Sequence, residues 1–410
     1  MKKFTSYNKC IDYLFSLERV GIKYDLKNIN LILDKLGRPE KSFKAIHIAG
    51  TNGKGSVSAM TNSILIESGF KTGLYTSPHI LDFRERILID GKLISKKFIV
   101  DFTNKLIPLI QKIKPSFFEV TTALAFEYFR QKQVKFAVIE TGLGGRLDST
   151  NVLNPIIEII TSISIDHTNF LGSTIEKITK EKAGIIKKNS VCIIGNVSAT
   201  SKKIIKQVCK KQNAKFIDSD KTKISNLTLP LIGAYQQNNL RTAVAALKEI
   251  LKKEKLPHIK KNIKRGLKNI VSNSNFHGRF ELINKNPKII IDVSHNEQSL
   301  KNLSDNLKQV QYKNLYVIFG LMKDKQIAQC ISQIKKLKAE KIILTKPEYK
   351  RAAEPEELAE FFNSTKNIIT KPDLKESYNF IKTAFKKDDL LLITGSFFVV
   401  SDFLKTYKKQ

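Results

Sequence analysis

Tryptophan is absent from the chain, and its 410 residues include only three methionines and four cysteines. Cys10, Cys192, Cys209 and Cys330 lie far apart and form no C-x-x-C pair. That excludes a disulfide or zinc framework and suits a reducing compartment, so a cytoplasmic protein is expected. With 11 prolines and 19 glycines, the composition is neither fibrous nor disordered. No segment approaches the ~20 apolar residues that cross a bilayer, which argues against a membrane partner. Met1-Lys2-Lys3 opens the chain, but polar residues interrupt Phe4–Tyr13, so a secretory signal core is missing. Acidic residues are scarce: 38 Asp and Glu against 71 Lys and Arg, a formal charge of +33. The lysines are scattered in pairs such as Lys96-Lys97 and Lys252-Lys253, with no basic tail and no arginine block. A solvated surface that attracts small anions fits this better than a nucleic-acid interface.

What is present is an alternation of short apolar runs and helical patterns. Strands are expected at Ala45–Ala49, Phe136–Glu140, Ile156–Ile165, Val191–Ile194, Lys288–Asp292, Leu315–Gly320, Lys341–Thr345 and Leu390–Thr394. Helices are expected at Ser56–Ser68, Thr121–Gln131, Gln237–Lys252, Ser299–Gln309 and Pro355–Asn363. Apolar strands separated by helices imply an α/β protein with a mostly parallel sheet covered on both faces. The polar run Ser272-Asn273-Ser274-Asn275 marks a boundary. The reading is a P-loop ATPase domain over residues 1–275, a linker at 276–282, and a smaller Rossmann-like α/β domain over 283–410. Ligands of such sheets gather at the carboxyl ends of the strands, here expected in the cleft between domains.

The segment His47 to Ser56 reads H-I-A-G-T-N-G-K-G-S between an expected strand and an expected helix. Gly50, Gly53 and Gly55 permit sharp turns that aim backbone amides inward, and a helix start adds partial positive charge. Lys54 supplies a full charge for phosphates, and Ser56 a hydroxyl that can face Mg²⁺. The spacing departs from G-x-x-x-x-G-K-[ST], since Gly55 separates Lys54 from Ser56.

Other candidates sit at expected strand ends. Glu140 closes the strand Phe136–Glu140 and precedes T-G-L-G-G-R-L-D, which places an acid where a magnesium ligand belongs. Arg146 and Asp148 are expected to face substrate from that loop. His167, in Asp166-His167-Thr168, is expected to end the next strand as a second metal contact. Asp292 and His295, in D-V-S-H-N, end the first expected strand of the second domain, and Arg279 upstream can reach phosphate. Glu176 to Gly184 reads as a charged helical face, and its residues alone give Lys182 no role.

Together these segments resemble the folylpolyglutamate synthase/dihydrofolate synthase family within the Mur ligase superfamily. The resemblance spans nearly the whole chain. It includes Ile11 to Glu18, Gly21-Ile22-Lys23, the glycine loop, Thr76-Ser77-Pro78-His79-Ile80 and Phe117 to Thr122. It continues through Glu140 to Asn151, D-H-T at Asp166, E-K-A-G at Glu181, G-R-F at Gly278, D-V-S-H-N at Asp292 and Gly395-Ser396-Phe397. It implies ATP-dependent ligation of L-glutamate to dihydropteroate or a folate through an acyl phosphate, by a monomer. Gly50, Thr51, Asn52, Gly53, Lys54, Gly55, Ser56, Asn239, Arg279 and Asp292 would bind ATP. Ser77, Glu140 and His167 would contact Mg²⁺, Lys182 would be carbamylated, and His295 would lie near the glutamate chemistry. Ile22, Lys23, Tyr24, Ser116, Phe117, Phe118, Glu119, Leu147, Asp148 and Ser149 would hold the pterin. One departure stands out: where the family often has G-x-H-Q-x-x-N-A, Tyr235 and Leu240 replace the histidine and the alanine, while Asn239 keeps its place. A cell-wall Mur ligase acting on a UDP-linked muropeptide is the alternative.

Overall fold

The computed structural model describes residues 3–21, 25–225, 227–255, 257–362 and 366–408. The chain forms two compact units, residues 1–230 with 238–276 and residues 231–237 with 277–410.

The first unit is built on eight strands: β1 Lys44–Ala49, β2 Thr72–Tyr75, β3 Ile87–Ile89, β4 Lys92–Leu93, β5 Phe136–Glu140, β6 Ile157–Ile160, β7 Val191–Ile194 and β8 Lys215–Asp218. Their order is β4-β3-β2-β5-β1-β6-β7-β8. The pairs from β2 to β8 are parallel, and β3 and β4 form an antiparallel edge. All five residues of β5 are buried, as expected of a strand covered on both faces. One face packs against aliphatic and aromatic side chains that include Ile29, Ile32, Phe102, Phe126 and Phe129. The other face, at β6 and β7, packs against Ala183, Ile185 and Ile205.

The helix Lys54–Glu67 follows β1 and is buried from Ser56 to Leu65, polar residues included. Those residues bond to a second layer of helix: Ser63 donates to Gly266 O at 2.6 Å, and Asn62 to Asn273 O at 2.8 Å. Gly266 belongs to the helix Ile259–Lys268. It permits the approach, because a Cβ there would stand 2.5 Å from Ile64.

The second unit has six strands: β9 Glu281–Lys285, β10 Lys288–Ile291, β11 Leu315–Phe319, β12 Lys341–Thr345, β13 Ile368–Lys371 and β14 Leu390–Thr394, ordered β13-β12-β11-β14-β10-β9. Only β9 runs antiparallel, against β10. Its core joins Phe280, Ile290 and Val317 to Leu300, Leu303 and Ile331 from covering helices. The stretch 276–282 carries the buried Phe280 and the opening of β9.

Two local expectations need correction. The strand expected to run to Ile165 leaves the sheet after Ile160, because Thr161, Ser162 and Ser164 bond to the glycine loop instead. His167 therefore ends no strand: it precedes the short helix Thr168–Leu171 with φ 52°. Gly55 is no turn residue, since the helix already begins at Lys54 and encloses it.

Candidate active site

The loop after β1 is held from one side by the segment after β6. Thr51 N donates to Ser162 O at 2.8 Å, and Asn52 N to Ser162 Oγ at 3.0 Å. Thr161 Oγ1 and Ser162 Oγ both donate to Asn52 O, at 2.7 and 2.9 Å. Thr51 and Asn52 thus spend their amides on the protein. Helix geometry leaves first-turn amides without an intrahelical acceptor, so Gly53 to Ser56 carry the donors suited to an anion. The helix start at Gly53 receives no side-chain cap. Gly53 holds φ 85°, and Asn239 stands against it: a Cβ there would lie 2.5 Å from Asn239 Oδ1. No side chain larger than hydrogen fits without displacing Asn239.

Two lysines meet at this loop. Lys54 Nζ donates to Gly50 O at 3.1 Å and Thr51 O at 3.4 Å. Lys182 comes from the helix Ile175–Ala183 and donates to the same Gly50 O at 2.9 Å. Lys182 is almost completely buried. That burial, with the Lys54 charge beside it, pulls its ammonium down to about 7, against the opposing pull of Asp166 and Asp148. No local pattern reveals this proximity, because the charged helix around Lys182 looks solvated; only the family resemblance singled the residue out. Its one buried stripe is Ile178, Thr179, Lys182 and Ala183.

Glu140 ends β5 beside β1, with Thr141 N donating to Ile48 O at 2.9 Å. Ser77 N lies 3.3 Å from Glu140 Oε2, so these two expected metal contacts are neighbours. His167 adjoins Asp166, whose Oδ1 accepts its backbone N–H at 2.8 Å. Among the described residues, no group of three or more His, Cys, Asp and Glu side chains gathers as a metal cage. A carboxylate, a serine and an imidazole suit a hard cation that keeps water and phosphate oxygens.

The pterin candidates divide. Ile22, Lys23 and Tyr24 lie outside the described residues. Ser116 and Glu119 cap the helix Phe117–Gln131 reciprocally: Ser116 N and Oγ donate to Glu119 Oε2 at 2.7 and 2.8 Å. Among the described residues, the buried Glu119 Oε1 has no hydrogen-bond partner. Phe117 packs among Phe15 and Phe83, with the Arg86 guanidinium 5.1 Å from its ring centre. Phe118 lies over Gly142, where a Cβ would come within 2.6 Å of its ring. Leu147 and Ser149 flank Asp148, which faces inward. Its Oδ2 accepts from Leu143 N at 2.8 Å, and its Oδ1 from Thr150 N at 3.0 Å and Thr150 Oγ1. Burial pushes the Asp148 carboxyl up, and those donors oppose it. Arg146 pairs with Glu181 at 2.9 Å.

In the second unit, Asp292 Oδ2 accepts from Phe280 N and Oδ1 from Ser294 N, both at 2.8 Å. Burial raises its carboxyl, while the donors and the Arg279 charge act against that. The Arg279 guanidinium sits 4.8 Å from the Phe397 ring centre. His295 Nδ1 is 2.9 Å from Val293 O.

Residues 48–247 match the Mur ligase middle domain, and residues 278–397 match the Mur ligase, glutamate ligase domain. The dihydrofolate synthase/folylpolyglutamate synthase of Bacillus subtilis (strain 168) is 32% identical over 437 residues, covering 99% of this chain and 100% of that protein. Among solved structures, the chain resembles Escherichia coli FolC in complex with DHPP and ADP, with TM-score 0.87 and 26% identity over 100% of this chain and 99% of that one. It also resembles the Yersinia pestis bifunctional folylpolyglutamate synthase/dihydrofolate synthase complexed with AMPPNP and Mn ion, with TM-score 0.85 and 25% identity over all of both chains. These relatives favour the folate reading over the cell-wall alternative. The chain belongs to the dihydrofolate synthase/folylpolyglutamate synthase family of Mur ligases.

Proposed function

We propose that the chain splits ATP to ADP and phosphate in order to join L-glutamate to the carboxylate of dihydropteroate, of a folate, or of both. Membership of its family makes it an ATP-dependent ligase. The observation that carries the site assignment is the uncapped helix start at Gly53, with Lys54 and Lys182 directed at one loop carbonyl.

A carboxylate is a poor acyl donor because oxide is a poor leaving group. Transfer of the γ-phosphoryl group from ATP turns that oxygen into phosphate. The amide donors from Gly53 to Ser56 would hold the phosphates, and Lys54 would swing from Gly50 O to the transferring group. Asn239, Arg279 and Asp292 are proposed nucleotide contacts. Ser77, Glu140 and His167 would hold Mg²⁺, which when bound offsets the charge of the phosphate oxygens. The uncharged amine of glutamate then attacks the acyl carbon, and phosphate leaves; His295 is the proposed residue near this step. Phe118 and the buried, unpartnered Glu119 Oε1 suit the ring and the N–H donors of a pterin.

Lys182 is proposed as a carbamate. An ammonium held near 7 gives up its proton in about half of the molecules at neutral pH, and the lone pair of the neutral amine can attack carbon dioxide, releasing one proton and leaving an anion. That anion would replace a like-charge contact with Lys54 by an attractive one.

The test is an acceptor panel: ATP, Mg²⁺ and L-glutamate with dihydropteroate, a reduced folate or a UDP-muropeptide. Glutamate-dependent ADP release with a pterin acceptor alone is expected. Release with the muropeptide alone would overturn the assignment.

A further inference from the structure

His47 opens the glycine-loop motif, yet it lies in the middle of β1, fully buried and too deep to touch phosphate. Its Nε2 is 2.7 Å from Thr150 Oγ1. Thr150 Oγ1 in turn donates to Asp148 Oδ1, and Asp148 Oδ2 accepts from Leu143 N. The chain of contacts therefore runs from the sheet into the glycine-rich loop that follows Glu140. The far end of that loop is tied to the lysine helix: Arg146 N donates to Glu181 O at 2.8 Å, and Gly145 lies so close to Lys182 O that a Cβ would come within 2.9 Å.

The donor order sets the tautomer. A carboxylate can only accept, so the Thr150 hydroxyl gives its hydrogen to Asp148. Its oxygen must then accept from His47, which places the imidazole proton on Nε2 and leaves Nδ1 bare. Nδ1 is indeed buried with no partner among the described residues. A neutral ring is required, and burial together with the Lys187 charge holds it neutral, down to about 3. Glu158, opposite His47 on β6, has its own backbone donor in Lys187 N at 3.1 Å.

We infer that His47 is a positioning residue. As the Nε2–H tautomer it fixes Thr150 and Asp148, and through them the loop 142–146 that links Glu140 to the Lys182 helix. It acts on the acceptor side of the site, where Phe118 covers Gly142, and not on the phosphates. The inference rests on the ligase reading for its kinetic arm but not for its spectroscopic one.

The spectroscopic arm uses resting protein without substrates. Nitrogen-labelled histidine reports the tautomer of each of the six imidazoles, and the His47 signal is the one lost in His47→Gln. A neutral, Nε2-protonated ring from pH 8 to pH 5 is expected. An Nδ1-protonated ring, or one that titrates within that range, would overturn the inference. In the kinetic arm, Gln can present an amide N–H near the Nε2 position and Leu cannot. His47→Leu is expected to raise KM for the pterin acceptor about 10-fold and leave KM for ATP within about 2-fold, with His47→Gln near wild type. Thr150→Val against Thr150→Ser should repeat the split if His47→Leu fails to fold. Equal behaviour of the conservative and apolar variants at both positions would overturn the inference. A wild-type protein inactive with every pterin acceptor would instead sink the ligase reading, and the tautomer would still decide this one.

Discussion

Lys54 and Lys182 direct their ammonium groups at one oxygen, the carbonyl of Gly50, at 3.1 and 2.9 Å. Two like charges sharing one acceptor repel, and one of them is buried. The arrangement is relieved in two ways: an anion can draw Lys54 away, and Lys182 can lose its charge. Both fit a site that waits for phosphate.

Lys54→Ala removes the charge proposed to meet the transferring phosphoryl group. A fall in kcat of about 10²-fold or more is expected, comparable with the loss of one preorganised donor. Steady-state ADP release at saturating glutamate checks it.

Gly53→Ala puts a methyl group at φ 85° and 2.5 Å from Asn239 Oδ1. Strain and displacement of Asn239 act together on the proposed nucleotide contacts. KM for ATP should rise about 10-fold, with KM for the acceptor nearly unchanged, in contrast to His47→Leu.

Lys182 carries a pH signature. Its folded-state value is lowered to about 7 from 10.5, so the folded protein holds fewer protons than the unfolded chain between these limits. Stability should therefore fall as pH drops from about 10.5 through 7 and level off below. In bicarbonate-free buffer without ATP, denaturant titrations of wild type and Lys182→Met should converge towards alkaline pH. With bicarbonate at pH 8, intact mass should show one added carbon dioxide in wild type and none in the variant.

Glu158 runs the other way. Burial raises its carboxyl to about 7 from 4.5, against weaker help from Ser190 and Lys187. The protonated form is favoured in the fold, so its contribution is complete below about 4.5 and lost as pH rises through 7. Glu158→Gln keeps an acceptor for Lys187 N and cannot ionise. It should match wild type near pH 4.5 and exceed it by up to roughly 3 kcal/mol at pH 8.

Much of the scaffold was legible because buried parallel strands leave uninterrupted apolar runs. Phe136–Glu140, Val191–Ile194, Lys341–Thr345 and Leu390–Thr394 coincide with β5, β7, β12 and β14. Edge strands were not legible: β8 and β13 are only half-buried, and neither forms a fully apolar run. Strand β2 contains Gly73, which ordinarily argues against a strand; the Phe129 ring lying over it excludes any larger residue. In the segment after β6, Ile163 and Ile165 continue the apolar pattern, but the hydroxyls of Thr161 and Ser162 and the backbone of Ser164 bind the glycine loop and pull the chain out of the sheet. The glycine loop itself was plain from Gly53 and Lys54. The meeting of Lys182 with Gly50 depends on contact between distant segments, which no local pattern encodes; the Ser116–Glu119 cap is a local S-x-x-E pattern that the reading of the sequence did not use.

The strongest trial of acyl-phosphate chemistry follows a heavy oxygen atom placed in the carboxylate of the pterin acceptor. If ATP activates that carboxylate, each turnover breaks its carbon–oxygen bond, and one labelled oxygen emerges in inorganic phosphate, in equal amount to the amide formed. Amide formation that leaves the released phosphate unlabelled would contradict the proposed mechanism.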